Sequence, residues 1–550
     1  MRRRSFLRHT VLLTAVHLTL RTAALLFHIY LSGQIGAAGM GRLQLILTAG
    51  GFALTLGISG SRAACMNLTA AQRGLGRASA MKQAIRLSLR YCALLSAFAG
   101  ALLFFGAEGI CALWIKDRSA VPALRLLGLC VPLHCLTAVL FGCFTARGRI
   151  RPLAIAELTE QAVEIAVTLL LLRVWADADF SRICIAVIAG AGIGALFSVL
   201  LLGFLLLRDL RPIPDDGSRM LRPLLSLTIP LALSDYLRSG LETTEQFLIP
   251  YGLSRAGGSY ERSMSDYGTI CGMVFPVLMF PSVLFSSLSD LLLPELSGRK
   301  ARGERLRVQS VVSSCLKVGA VFSAMIAGLA FLLGPRLGRL LFQSEAAGAY
   351  LRAFAPLVLF LYLDRLVDGM LKGLGEQVAC VRYNTITSFL DVALLLVLLP
   401  RFGVTGYFVT FAATHLLNFG MSLGRLCRAS ALTPDFLHAA RTVAVAALSV
   451  MLVGCVPVPD GVFPAIYLTV LFLFLYVSLC LLTGALEART LRLFLPRRNV
   501  QKKDGGRVRP SSGVHFPSSS ISQTVSSSPS TRKRTSFPAK RKPYSRPGSF

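Results

Sequence analysis

The sequence predicts an all-α integral membrane protein, and three observations carry that prediction. The chain of 550 residues is 54% apolar and 15% charged, with a mean hydropathy of +0.63, where soluble proteins carry about 25% charged residues. Apolar runs near the ~20 residues needed to cross a bilayer recur along it. Basic residues gather in alternate connections between those runs, the pattern that orients multi-pass proteins.

The runs begin near residues 6, 40, 82, 121, 152, 182, 222, 266, 308, 348, 380, 404, 438 and 462, which makes fourteen expected spans. The first follows MRRR like a signal peptide, but His17 and Arg21 interrupt it and it continues to Leu31 without a cleavage site of the usual kind. It reads as an uncleaved helix. With the N-terminus inside, the inside connections hold Arg73, Arg77 and Lys82, then Arg147, Arg149 and Arg151, then Arg208, Arg211, Arg219 and Arg222. Further along they hold Arg299, Lys300, Arg302, Arg305 and Arg307, then Lys372 and Arg382, and last Arg425, Arg428 and Arg441. An even number of spans returns the chain to the same side. Both termini are therefore expected in the cytoplasm, with the protein in the cell membrane.

An internal repeat appears, in which Gly142-Cys-Phe-Thr-Ala-Arg-Gly148 answers Gly369-Met-Leu-Lys-Gly-Leu-Gly375. The same offset lays the first helix over the seventh. Two six-helix lobes, 1–210 and 211–430, followed by two extra helices over 431–486, fit that period, and parallel repeats of this kind place a substrate between the lobes. Residues 487–550 are rich in Ser, Pro, Lys and Arg and read as a disordered cytoplasmic tail. Its basic clusters either rest on the anionic inner leaflet or stay solvated. Despite a formal net charge of +31, no folded module points to nucleic acid.

Charged side chains inside three of the runs are the strongest functional signal. Glu157, Glu160, Gln161 and Glu164 occupy one run, Asp235, Arg238, Glu242 and Glu245 a second, and Asp364, Arg365, Asp368 and Lys372 a third. At about 100° per residue each set falls on one helical stripe. Burying such groups costs several kcal/mol each unless they face partners or water, so the stripes are expected to line a polar pathway. Pro230 and Gly240 are expected to bend the helix carrying the second stripe. The thirteen cysteines show no CxxC pair and no metal spacing, and read as small packing residues. Walker A, HExxH and GxSxG patterns are missing, so neither an enzyme nor an ATP-driven pump is expected, and no cofactor.

Two stretches resemble a known family. YGTICGMVFPVLMFPSVLFSSLSDLLLPELS (267–297) resembles a YG-x-x-x-GM-x-x-P pattern with a second proline and a closing LxPxxS. AGAYLRAFAPLVLFLYLDRLVDGMLKGLGEQ (347–377) resembles AP-x-x-x-FLYL…G-x-L-x-GLG-x-Q. Both are patterns of the stage V sporulation protein B family of polysaccharide-biosynthesis membrane proteins. Arg21 through LSGQIGAAGMG, and FLIPYGL (247–253), resemble the same family's first and seventh helices. The resemblance spans about residues 5–485 and places the chain in the multidrug/oligosaccharidyl-lipid/polysaccharide exporter superfamily, beside the lipid II flippases. It implies a two-lobed helical V, alternating access, and outward translocation of an undecaprenyl-linked saccharide, in spore cortex or other cell-wall synthesis.

The resemblance also ranks the site residues. Arg21 matches the family's arginine and would hold a pyrophosphate. His28 stands where relatives carry a second arginine; a weaker cation and a hydrogen-bonded interfacial histidine are both open. Arg62 has no counterpart and reads as snorkelling to the inner surface. Glu160-Gln161 matches an EQ pair, whereas Glu157 and Glu164 depart from the pattern. Together they read as a Na+ or H+ coupling site, or as ion-paired to Arg21 or Arg151. Glu245 matches an acidic position, while Asp364, Arg365 and Asp368 stand where relatives are more often amide-bearing. Two rival readings remain beside the flippase: a cation-coupled multidrug exporter of the same superfamily, and a non-transporting scaffold for wall synthesis. The sequence is silent on oligomeric state.

Overall fold

A glycine-hinged pair of long helices opens the chain. The computed structural model describes residues 2–175, 179–213 and 220–486, without the side chains of 2–14 and of Asp290. The tail predicted over 487–550 and the loop residue Arg219 lie outside the described residues. Every described element is helical. The helices are α1 (Arg2–Ile58), α2 (Ser61–Gly74), α3 (Ala78–Ile110), α4 (Val121–Ala146), α5 (Ile150–Val174), α6 (Phe180–Leu210) and α7 (Leu221–Arg255). They continue with α8 (Tyr260–Tyr267), α9 (Phe275–Met279), α10 (Val283–Ala301), α11 (Arg305–Phe342), α12 (Glu345–Gly373), α13 (Gln377–Ser430), α14 (Phe436–Gly454) and α15 (Val462–Leu482).

Among the described residues, ten helical stretches are long and apolar enough to cross a membrane. α5 and α7 carry the first two charged stripes and fall outside those ten. Two others break internally: α1 at Gly36 (φ 65°) and α13 at Gly403 (φ 56°). Such positive φ values suit glycine because it has no Cβ. Each break falls just before a predicted start, at residues 40 and 404. α7, by contrast, runs through Pro230 and Gly240 with no non-helical residue recorded inside it. Between α8 and α9 the chain forms a π-helical turn, Gly268–Val274. A second, Cys111–Ile115, ends α3.

The repeat is visible in the packing. Gly148 (φ 69°) and Gly375 (φ 77°), which answer each other in the repeat, each end a helix in the left-handed conformation. Gly142 packs against the backbone of Arg62, and its counterpart Gly369 packs against Ser289. A second repeat pair meets directly. A Cβ on Gly41 would lie 2.5 Å from the Met264 carbonyl, and a Cβ on Gly268 would clash with the Ala37 carbonyl. Gly41 and Gly268 stand at the repeat offset, and so do Ala37 and Met264, which makes the contact reciprocal.

The basic connections meet at shared ends. Arg73 donates to the Arg147 carbonyl, and Arg147 bonds Asp209 at 2.9 Å, joining the α2–α3, α4–α5 and α6–α7 connections. Lys300 donates to the Leu374 carbonyl at 2.6 Å and Gln309 to that of Ala431 at 3.0 Å, joining the α10–α11, α12–α13 and α13–α14 connections. α14 and α15 pack on α11 around Phe472 and Tyr476, whose hydroxyl donates to the Val321 carbonyl at 2.8 Å. Of the thirteen free cysteines, most are buried in the helix packing, as their sequence setting predicts.

Candidate functional site

Arg21 on α1 and Arg365 on α12 converge, near enough for their charges to repel. Both are exposed, and neither forms an ion pair among the described residues. The charge of neighbouring Asp364 acts on Arg365 alone, and like charges held together without an ion pair are unfavourable, so the arrangement favours an anion between them. His28, two turns beyond Arg21 on nearly the same face, packs half-buried against the Gly272 backbone in the π-helical turn, and its Nδ1 has no partner. It therefore sits against the α8–α9 segment.

The α5 stripe faces a different set of groups. Glu157 lies 3.7 Å from His17 with Arg62 nearby, and not against Arg21 or Arg151 as the sequence allowed. Arg62 is exposed, and this proximity ties it to the stripe. Glu160 accepts a hydrogen bond from Ser198 on α6 at 2.7 Å, and Gln161 donates to Glu164 at 3.2 Å. α5 can hold this register because Gly190 and Gly194 let α6 approach its backbone at Glu164 and Glu160.

α7 splits its charges. Arg238 and Glu242 pair at 3.1 Å on the exposed face, as their i, i+4 spacing predicts, while Asp235 has no ion-pair partner among the described residues. Glu245 is different: its carboxyl is hydrogen-bonded to that of Asp391 on α13. Thr414 donates to Asp391 at 2.8 Å, and His415 lies close by with its ring stacked 4.0 Å from Phe411. Tyr267, Tyr407 and Cys271 close the surroundings. Two carboxyls in hydrogen-bond contact need a proton or a cation between them.

On α12, Asp364 accepts from the Asn418 amide at 2.9 Å, and Asp368 meets Asn384 at a long 3.5 Å. Each keeps one buried carboxylate oxygen without a hydrogen-bond partner. Lys372 is exposed at the end of the helix. Asp391, Thr414, His415, Asn384 and Asn418 were not singled out in the sequence, although the lone Asp391 within SFLDVALLL is the same kind of signal as the stripes. Among the described residues no cluster of His, Cys, Asp and Glu has metal-binding form.

No family model matches the chain. It is 22% identical to stage V sporulation protein B of Bacillus subtilis (strain 168) over 421 residues, covering 74% of this chain and 80% of the relative. It is 25% identical over 358 residues to the uncharacterized membrane protein YabM of the same organism, covering 62% of this chain and 66% of that one. The fold superposes on the lipid II flippase MurJ in its inward closed conformation with a TM-score of 0.63 at 13% identity, over 87% of this chain and 98% of that one. On an inward-facing multidrug resistance MATE family transporter of the MOP superfamily the TM-score is 0.60 at 14% identity, over 75% and 95%.

Proposed function

Starting from a multi-pass homologue of stage V sporulation protein B that has the fold of the MATE and MurJ transporters, we propose that the chain is a secondary-transport-type flippase. Its substrate on this reading is an undecaprenyl-linked saccharide, a precursor of peptidoglycan or another wall polysaccharide, moved outward by alternating access. The observation that carries the proposal is the convergence of Arg21 and Arg365, neither of them held in an ion pair among the described residues. A pyrophosphate supplies the missing anion, and guanidinium forks grip its oxygens bidentately. The lobes are 1–210 and 211–430, with Gly41 and Gly268 at the contact between them. The paired basic connections support a cytoplasmic placement of those ends.

Coupling belongs on this reading to Glu245 and Asp391, because release or uptake of a shared proton, or of a Na+ in its place, changes the charge between α7 and α13 and biases the lobes. The polyprenyl tail has a candidate seat over 431–486: an apolar crevice of about 210 Å³ lined by Leu316, Leu359, Phe360, Leu423 and Phe436. Lys317 and Asp435, paired at 3.0 Å, stand at its edge.

A second reading, a cation-coupled multidrug exporter, is favoured by one observation, the three carboxylates on α5. A cationic drug suits them and a pyrophosphate does not. Reconstitution in vesicles separates the two. The flippase reading expects a polyprenyl-pyrophosphate saccharide added to one leaflet to reach an impermeant lectin or hydrolase on the other side. Efflux of lipophilic cations without such exposure contradicts it.

A further inference from the structure

The face of α7 opposite its charged stripe bears a crevice that the transport reading does not use. Gly240, Thr243, Thr244, Phe247 and Tyr251 share that face, roughly 180° around the helix from Asp235, Arg238, Glu242 and Glu245. Gly240, Thr243, Thr244 and Phe247, with Phe52 of α1, Leu102 and Leu103 of α3 and Trp114 of the π-helical turn after it, enclose an apolar cavity of about 330 Å³. A smaller cavity of about 180 Å³ shares Trp114, Thr244 and Phe247 with it and ends at Lys116, Tyr251 and Tyr260. Leu102, Leu113 and Trp114 are exposed there, so the crevice opens sideways, where a bilayer lies.

Its mouth is cationic and braced. The Lys116 ammonium lies 5.6 Å from the Tyr251 ring and 5.2 Å from the Tyr260 ring, while the Arg255 guanidinium lies 4.8 Å from the Tyr251 ring. Tyr260 is fixed in turn by its hydroxyl bond to the Ile115 carbonyl at 2.5 Å. Lys116 itself sits at φ 54°, in the left-handed region, directly after the π-helical turn that ends α3. Neither cation forms an ion pair among the described residues. The adjacent acids are taken: Arg42 pairs with Asp117 at 3.3 Å and also bonds Glu261.

We infer that this crevice binds an anionic phospholipid of the leaflet at that end, its phosphate between Lys116 and Arg255 and one acyl chain between α3 and α7. An apolar groove in a bilayer gains little over lipid tails, so the chain alone confers no selectivity. Two unpaired cations held on aromatic faces do, each adding electrostatic attraction for a lipid phosphate. The transported headgroup is not the occupant on the flippase reading, because its phosphates are assigned to Arg21 and Arg365, and neither lines the crevice. A lipid wedged between α3 and α7 would bear on how the two lobes move against each other.

The test is native mass spectrometry of the full chain, titrated with phosphatidylglycerol and with phosphatidylcholine. The expected result is a preference for phosphatidylglycerol of roughly tenfold or more, the order two cations near a lipid phosphate give. It should be lost in the Lys116→Gln/Arg255→Gln double variant, kept in Lys116→Arg, and unchanged in Arg21→Ala. If the double variant does not fold, the single Arg255→Gln variant and the crevice-filling Leu102→Trp carry the test, and each should weaken the preference. A wild type without preference, or a preference that survives the loss of both cations, overturns the inference. So does displacement of phosphatidylglycerol by undecaprenyl pyrophosphate at equal concentration, which would assign the crevice to the substrate. Because Arg21→Ala leaves this readout intact, failure here is separable from failure of the flippase reading.

Discussion

Gly41 and Gly268, equivalent positions of the internal repeat, meet in the fold: a Cβ on Gly268 would fall 2.5 Å from the Gly41 nitrogen, and a Cβ on Gly41 3.2 Å from the Gly268 nitrogen. The second half of α1 and the π-helical turn thus pack backbone on backbone, each contributing the residue that answers the other's at the repeat. An isologous contact of this kind is what two copies of one unit make across a two-fold axis.

Gly268→Ala should therefore cost about 1–3 kcal/mol, as overpacking between fixed backbones does. Gly33→Ala, where nothing lies within 4 Å, should be neutral or slightly stabilising. Thermal unfolding of the two purified variants in one detergent checks the pair, and equal losses would refute the reading.

The Glu245–Asp391 contact makes a second prediction. Glu245→Gln leaves the helix intact but removes one of the two carboxyls in contact, the pair proposed to share a proton or Na+. Translocation should then fall roughly tenfold or more and lose its dependence on an imposed Na+ or proton gradient. Gradient dependence identical to wild type would move coupling elsewhere, with the α5 stripe next in line.

Ser198 tests that stripe. Its hydroxyl is the hydrogen-bond partner of Glu160, and Ser198→Ala leaves a half-buried carboxylate short of a donor, at a cost of about 1–3 kcal/mol. On the drug-exporter reading, both Ser198→Ala and Glu160→Gln should weaken binding of a lipophilic cation, read by fluorescence titration. Unchanged binding in both leaves Glu160 a packing partner of α6.

Asp435 caps α14, accepting from the His438 amide at 3.0 Å, and pairs with Lys317. The amide bond and the ammonium hold its carboxyl below the usual range. A depressed folded-state value means that the contribution is present above about pH 3.9, the unfolded value, and is lost as pH falls through the folded one. Asp435→Ala should cost about 1 kcal/mol at neutral pH, and its melting temperature should fall less than wild type's in acid. Melting curves from pH 7 to pH 3 decide it.

Much of this architecture was legible in the sequence, because a bilayer forces spanning segments to be apolar and helical. Glycine spacing marked both the repeat and the helix ends at Gly148 and Gly375. The stripes were legible as polar faces, but not which way each acid would turn. Glu242 and Glu245 lie on neighbouring turns of one stripe, yet one pairs with Arg238 at an exposed face and the other with Asp391 across α13. That choice depends on how α13 packs, which no local pattern encodes. Arg365 read as a gating residue on its own helix, and only tertiary packing brings it to Arg21. Glu157 likewise pairs with His17 because α1 passes α5 at that height.

The most direct measurement is the rate at which vesicles carrying the protein expose a polyprenyl-pyrophosphate saccharide, compared among wild type, Arg21→Ala, Arg365→Ala and the double variant. Loss of a phosphate-gripping guanidinium removes a charge-assisted bidentate bond, so each single variant should lose roughly tenfold or more. The double variant should lose less than the product of the two, because both residues hold one group. Wild-type exposure rates in Arg21→Ala and Arg365→Ala would contradict the account.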